Sequence, residues 1–161
     1  MLACPRVRLN GSRILALIAA LIGLPALAET ANFGSLTLSR TSPTSTAVLT
    51  GSTGGSFSLS AIANKDTHNN KCFGFGSPTP DHILVLQQDF SQLTVQIDSG
   101  GKDTTLLIQG PNDSTVRCGD DTGRSKDASV TDTGWKAGTY RVWVGSLEAG
   151  VKYKYSLSVK P

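Results

Sequence analysis

Residues 138–146 read GTYRVWVGS, and their alternation decides the fold class. Tyr140, Val142 and Val144 fall on one side of an extended chain and Arg141 and Trp143 on the other, because successive strand side chains point to opposite faces. The same period of two recurs outward from there. QLTVQID (92–98) sets Leu93, Val95 and Ile97 against Thr94, Gln96 and Asp98. KYKYSLSVK (152–160) turns Tyr153, Tyr155, Leu157 and Val159 inward and Lys152, Lys154 and Lys160 outward. GSLTLSR (34–40) alternates leucines with hydroxyls, and SFSLSAIA (56–63) reads as a further strand after a Gly/Ser/Thr turn. HILVLQQ (82–88) and TTLLIQGP (104–111) are apolar on both faces, as strands in the middle of a sandwich are.

Between these runs lie SGGKD, GPNDS, DDTG, TGWKAG and LEAG, each rich in turn-forming residues. About eight short strands with turn signals every 8–12 residues predict an all-β chain, an antiparallel β-sandwich with jelly-roll-like connections. The Ser/Thr-rich stretch from Thr41 to Ser56 has the composition of a flexible stalk, but Val48 and Leu49 interrupt it as a strand does.

The start of the chain is an address. Arg6, Arg8 and Arg13 precede the apolar run ILALIAALIGL (14–24), and Ala26 and Ala28 occupy the small-residue positions of a cleavage site. This predicts a secretory signal-peptide helix over residues 1–28 and one mature domain over 29–161, secreted or periplasmic, meeting membrane only during export. Three of the fifteen Lys and Arg leave with that peptide, so twelve bases face twelve acids and nothing basic remains to attract nucleic acid. Cys4 leaves as well. Cys72 and Cys118 are then an even pair in an oxidising compartment, expected to form a structural disulfide.

DTTLLIQGPNDSTVRCGDD (103–121), followed by AGTYRVWVGSLEAG (137–150) and YSLSV (155–159), resembles the bacterial pre-peptidase C-terminal domain. The pattern is an Asp-initiated apolar strand, a Gly-Pro turn, a cysteine ahead of paired aspartates, and an Ala-Gly-Thr-Tyr strand. KCFGFGSPTPDHILVL (71–86) and FGSLTLS (33–39) are also similar to that family. The resemblance implies a small β-sandwich of the kind found beside secreted peptidases and related in shape to bacterial collagen-binding domains. No peptidase domain accompanies it in this sequence, so the resemblance implies a partner in trans or a role of its own.

The tripeptide Asp-Thr-Gly, which bears the catalytic carboxylates of aspartic proteases, occurs at 121–123 and again at 132–134. The copies are too close for two lobes and their flanks are polar, so both are expected to be turns in which Asp bonds its own backbone. Asp103, Asp120 and Asp121 converge if the strand starting at Asp103 pairs with the one returning from Gly110-Pro111, which makes them a candidate Ca²⁺ site. His68 and His82 have no third ligand in a metal spacing. Arg141 beside Trp143 is a candidate platform for a sugar or an extended peptide, if that strand face is open to solvent. The expected function is a non-catalytic binding or accessory module for an extracellular polysaccharide or protein, or for a secreted peptidase. The alternatives are a structural envelope protein and a small secreted hydrolase.

Overall fold

The computed structural model describes residues 29–39 and 47–161. The expected signal-peptide helix over 1–28 lies outside the described residues. Among the described residues no helix is long and apolar enough to cross a membrane. Eleven strands are described: β1 (Gly34–Leu38), β2 (Ala47–Ser52), β3 (Phe57–Ser58), β4 (Phe75–Gly76), β5 (His82–Leu86), β6 (Phe90–Asp98), β7 (Thr104–Gln109), β8 (Val116–Thr122), β9 (Ser125–Trp135), β10 (Gly138–Ser146) and β11 (Lys154–Lys160).

The main strands follow one path, β1-β5-β10-β7-β8-β9-β6-β11-β2, folded into two layers. The fold line is β8. Leu106–Gln109 of β7 pair with its first half, whereas Asp120–Thr122 pair with β9 in the other layer. Gly119 sits at that corner, where a Cβ would collide with the Ser129 carbonyl. The ends of the path, β1 and β2, approach each other, so the sheet is nearly closed. The links β5 to β6, β6 to β7, β9 to β10 and β10 to β11 each cross between layers, which is the jelly-roll-like character of the sandwich. One pairing departs from the antiparallel rule: β1 runs parallel to β5. The chain leaves β1 for β2, at the far end of the path, and returns to β5 only afterwards, so no hairpin constrains their direction.

Two apolar cores result. The larger lies between the layers and holds the inward residues of the alternating strands, including Leu93, Val95, Ile97, Tyr140, Val142, Leu157 and Val159. The smaller lies on the outer face of the first layer, where Leu59 and Cys72 close over Leu107, Val116 and Trp143. Residues 53–81 form this cover. It explains why all six residues of β7 are buried, since that strand has apolar material on both sides.

The run SFSLSAIA differs from expectation. Only Phe57–Ser58 are extended; the chain then makes a 3-10 turn over Leu59–Ala61 that drives Leu59 into the smaller core with no exposed surface. CGDDTGRSKDASVTDTG is a long hairpin rather than a string of turns. The first Asp-Thr-Gly does supply its turn, with Gly123 at φ 63°, but Asp132 and Thr133 of the second lie inside β9, paired with Leu93 and Gln92. Polar residues are tolerated there because the segment between Val130 and Trp135 of β9 has no buried residue.

Cys72 and Cys118 are bonded, with their Cα atoms 5.4 Å apart, and the bridge ties the cover to β8. A closed loop of 46 residues is worth about 4 kcal/mol in the chain-entropy picture. The Cys72→Ala/Cys118→Ala variant is therefore expected to lose about 4 kcal/mol in urea unfolding. Trp143→Ala empties the smaller core and is expected to cost about 3–5 kcal/mol in the same measurement.

Candidate functional site

The acidic residues gather at the corner of the sandwich. Pairing of Leu106 with Gly119 brings the start of β7 beside the bend in β8, so Asp103, Asp120 and Asp121 each place a carboxylate oxygen within 4.8 Å of the others. Lys126 offsets part of this charge through a 2.8 Å contact to Asp103. Burial, and then the charges of Asp121 and Asp103, push the Asp120 carboxyl above its usual range. Three carboxylate groups at this spacing supply up to half or more of the six to eight oxygens that a calcium ion takes.

A second polar cluster forms under the disulfide. Asp66 organises the loop 64–72: one of its oxygens accepts the His68 and Asn70 backbone N–H groups, at 2.9 and 2.8 Å. The other accepts the Asn70 amide at 3.0 Å and the Cys118 N–H at 3.4 Å. Its pKa is lowered, because these bonds outweigh the opposing effect of burial. Thr67 fastens the loop to β8 twice, its N–H and hydroxyl both donating to the Val116 carbonyl. Beneath it Arg117, only 6 % exposed, bonds Asp132 through Nε at 2.6 Å and lays its guanidinium 4.1 Å from the centre of the Trp135 ring. His68 stays largely exposed, with Nε2 3.7 Å from Asp132. Arg117, Asp66 and Asp132 as a group escaped the sequence reading. The one available signal was an arginine in a strand that borders both cores.

The expected platform of Arg141 and Trp143 is not open to a ligand. Trp143 is 4 % exposed, lies in the smaller core beneath the cover, and donates its indole N–H to the Pro78 carbonyl at 3.3 Å. Arg141 pairs with Asp113 in the exposed loop after β7. Trp135 is fully buried in the larger core.

No family model matches the chain, and neither does any curated protein. Two solved structures are similar to it in fold. One is the pre-peptidase C-terminal domain of collagenase from Bacillus anthracis, at 15 % identity and a TM-score of 0.46, covering 84 % of this chain and 99 % of that one. The other is PliG from Aeromonas hydrophila, a periplasmic inhibitor of g-type lysozyme, at 16 % identity and a TM-score of 0.43, covering 81 % and 98 %. The first is the kind of domain that the strand and turn motifs resemble.

A third set of titratable groups lies where the chain enters β5. Asp81 is buried, accepting the Val144 N–H at 2.8 Å and the Asn32 amide at 3.1 Å; burial pushes its pKa up to about 6. His82 bonds the Tyr155 hydroxyl at 2.9 Å, and burial pushes its pKa down to about 4. Their effects on stability oppose each other. Asp81 binds its proton more tightly in the fold, so its contribution falls as pH rises through about 6. His82 binds its proton less tightly in the fold, so its contribution falls as pH drops from 6.5 through about 4. Asp81→Asn is accordingly expected to make the melting temperature fall steeply with acid across that window. His82→Gln is expected to make it rise. The wild-type profile should lie between the two.

Proposed function

We propose that the chain is an exported, non-catalytic binding module that contacts an extracellular polymer and holds Ca²⁺ at its acidic corner. The observation that carries this reading is the loop 64–72. The Asp66 side chain accepts three N–H groups from within the loop and one from Cys118, Thr67 donates twice to the Val116 carbonyl, and the disulfide fastens Cys72, yet His68, Asn70 and Lys71 remain exposed. A rigid loop with exposed polar side chains loses little entropy on binding, which is the economy that recognition surfaces use. The titratable groups favour binding over catalysis. Cys72 and Cys118 are joined to each other, His82 is sealed against Tyr155, and Asp132 is engaged by Arg117.

The expected leader and the disulfide support the export in this reading. At the corner, Ca²⁺ would relieve the repulsion among Asp103, Asp120 and Asp121 and displace Lys126 from Asp103.

Thermal unfolding of residues 29–161 with Ca²⁺ and with EDTA tests the corner. At a hundred times Kd the ion is expected to add about 2.7 kcal/mol, several degrees in melting temperature, and the gain should vanish in Asp120→Ala. Identical melting with and without Ca²⁺ removes the ion from the proposal. Cosedimentation with insoluble cellulose, chitin and peptidoglycan tests the binding role. Retention of the oxidised chain by at least one of them is expected, and retention by none contradicts it.

A further inference from the structure

Between the loop 64–72 and the strands β8 and β9 lies a cleft of about 160 Å³, lined by Asp66, His68, Asn70, Arg117, Thr131 and Asp132 among others. Its floor is the Arg117 guanidinium, more than nine-tenths buried. Nε bonds Asp132, Nη2 reaches the Thr133 carbonyl at 3.4 Å, and Nη1 has no acceptor among the described residues. A buried N–H without a partner is costly, and so it marks a place where an acceptor is missing.

The charge balance narrows what the missing group can be. Asp132 neutralises Arg117, so the cleft has no surplus positive charge to capture an anion, and an incoming carboxylate would meet Asp66 and Asp132. An incoming cation would meet Arg117 and two carboxylates that are already engaged, Asp132 by Arg117 and Asp66 by four N–H groups. The lining mixes donors with acceptors: the imidazole of His68, the amide of Asn70, the hydroxyl of Thr131 and the carboxylate of Asp132. A neutral group that both donates and accepts at adjacent atoms satisfies such a lining, and a pair of neighbouring sugar hydroxyls is that group. The volume is below the roughly 300 Å³ at which pockets for larger ligands begin, which suits a single ring and not a chain segment.

We infer that the cleft between the disulfide-stapled loop and β8–β9 binds adjacent hydroxyls of one neutral sugar residue, an inference that rests on the binding-module reading above. The sugar accepts from the Arg117 and His68 side and donates to Asp132. A polymer would be gripped through a chain end or a branch.

The test is a titration of ¹⁵N-labelled, oxidised 29–161 with methyl glycosides of glucose, galactose, mannose and N-acetylglucosamine, and with sodium acetate. Saturable amide shifts centred on His68, Asn70, Thr131 and Asp132 are expected with at least one glycoside and not with acetate. His68→Ala and Thr131→Val, both at exposed positions, should each weaken that glycoside by about three- to tenfold while leaving the rest of the spectrum unchanged. Absence of shifts at those residues with every glycoside overturns the inference. Equal shifts with acetate, or binding undiminished in both variants, overturn it too. The same variants separate this inference from the reading beneath it. If wild type and both variants sediment equally with a polymer, the cleft is not the site but the module still binds. If wild type sediments with none, the binding role itself fails.

Discussion

Leu107, Val116 and Trp143 point outward from the first layer of the sandwich, and an apolar face of that kind is unstable in water. Burying it is the constraint that places the cover, the disulfide and the cleft beside them. Residues 53–81 cross the face, insert Leu59 and Cys72, and are locked to β8 by the disulfide. Because the cover must follow the face, its polar loop 64–72 ends up against β8 and β9, and the Arg117 cleft forms where they meet. One covalent bond therefore serves packing and site together. It fastens Cys72 into the smaller core and holds Asp66 within hydrogen-bonding reach of the Cys118 N–H.

The corner in β8 is a second consequence of the same geometry. A strand that belongs to both layers must bend, and Gly119 allows the backbone of β9 to approach at the bend. The residues just beyond it, Asp120 and Asp121, then project beside Asp103 at the start of β7. The two clusters carry opposite electrostatic characters. At the corner, carboxylates repel one another, with Lys126 in partial compensation. In the cleft Arg117 pairs with Asp132, and Asp66 is satisfied by four N–H groups. A divalent ion suits the first and a neutral hydrogen-bonding ligand the second.

The strands of the larger core were legible because their inward side chains recur every second residue. Leu93, Val95 and Ile97 on β6, and Tyr155, Leu157 and Val159 on β11, need no tertiary knowledge to be placed. The double-sided burial of β7 was legible from its uninterrupted run Leu106-Leu107-Ile108. The hairpin of β8 and β9 was not, since its inward residues are few and its outward acids, hydroxyls and glycines have turn-forming chemistry in any local window. The candidate site was half legible. Asp103, Asp120 and Asp121 could be brought together by assuming one strand pairing, between neighbours in sequence. Arg117 bonds Asp132, fifteen residues on, and Asp66 bonds the Cys118 backbone across fifty-two, contacts that no short-range pattern encodes. The fate of Trp143 was likewise non-local. Its alternation with Val142 and Val144 shows only that it faces away from the larger core, and the cover that buries it lies more than sixty residues earlier in the chain.

Hydrogen exchange, followed by mass spectrometry before and after reduction of the disulfide, tests the central claim most directly. If the cover is a unit fastened to a self-sufficient sandwich, reduction should release the amides of residues 59–72 while β6, β7 and β10 keep their protection. Collapse of protection throughout the domain would show that cover and sandwich fold as one unit. Unchanged protection of residues 59–72 would show that the disulfide does not hold the cover. Either result would contradict the account.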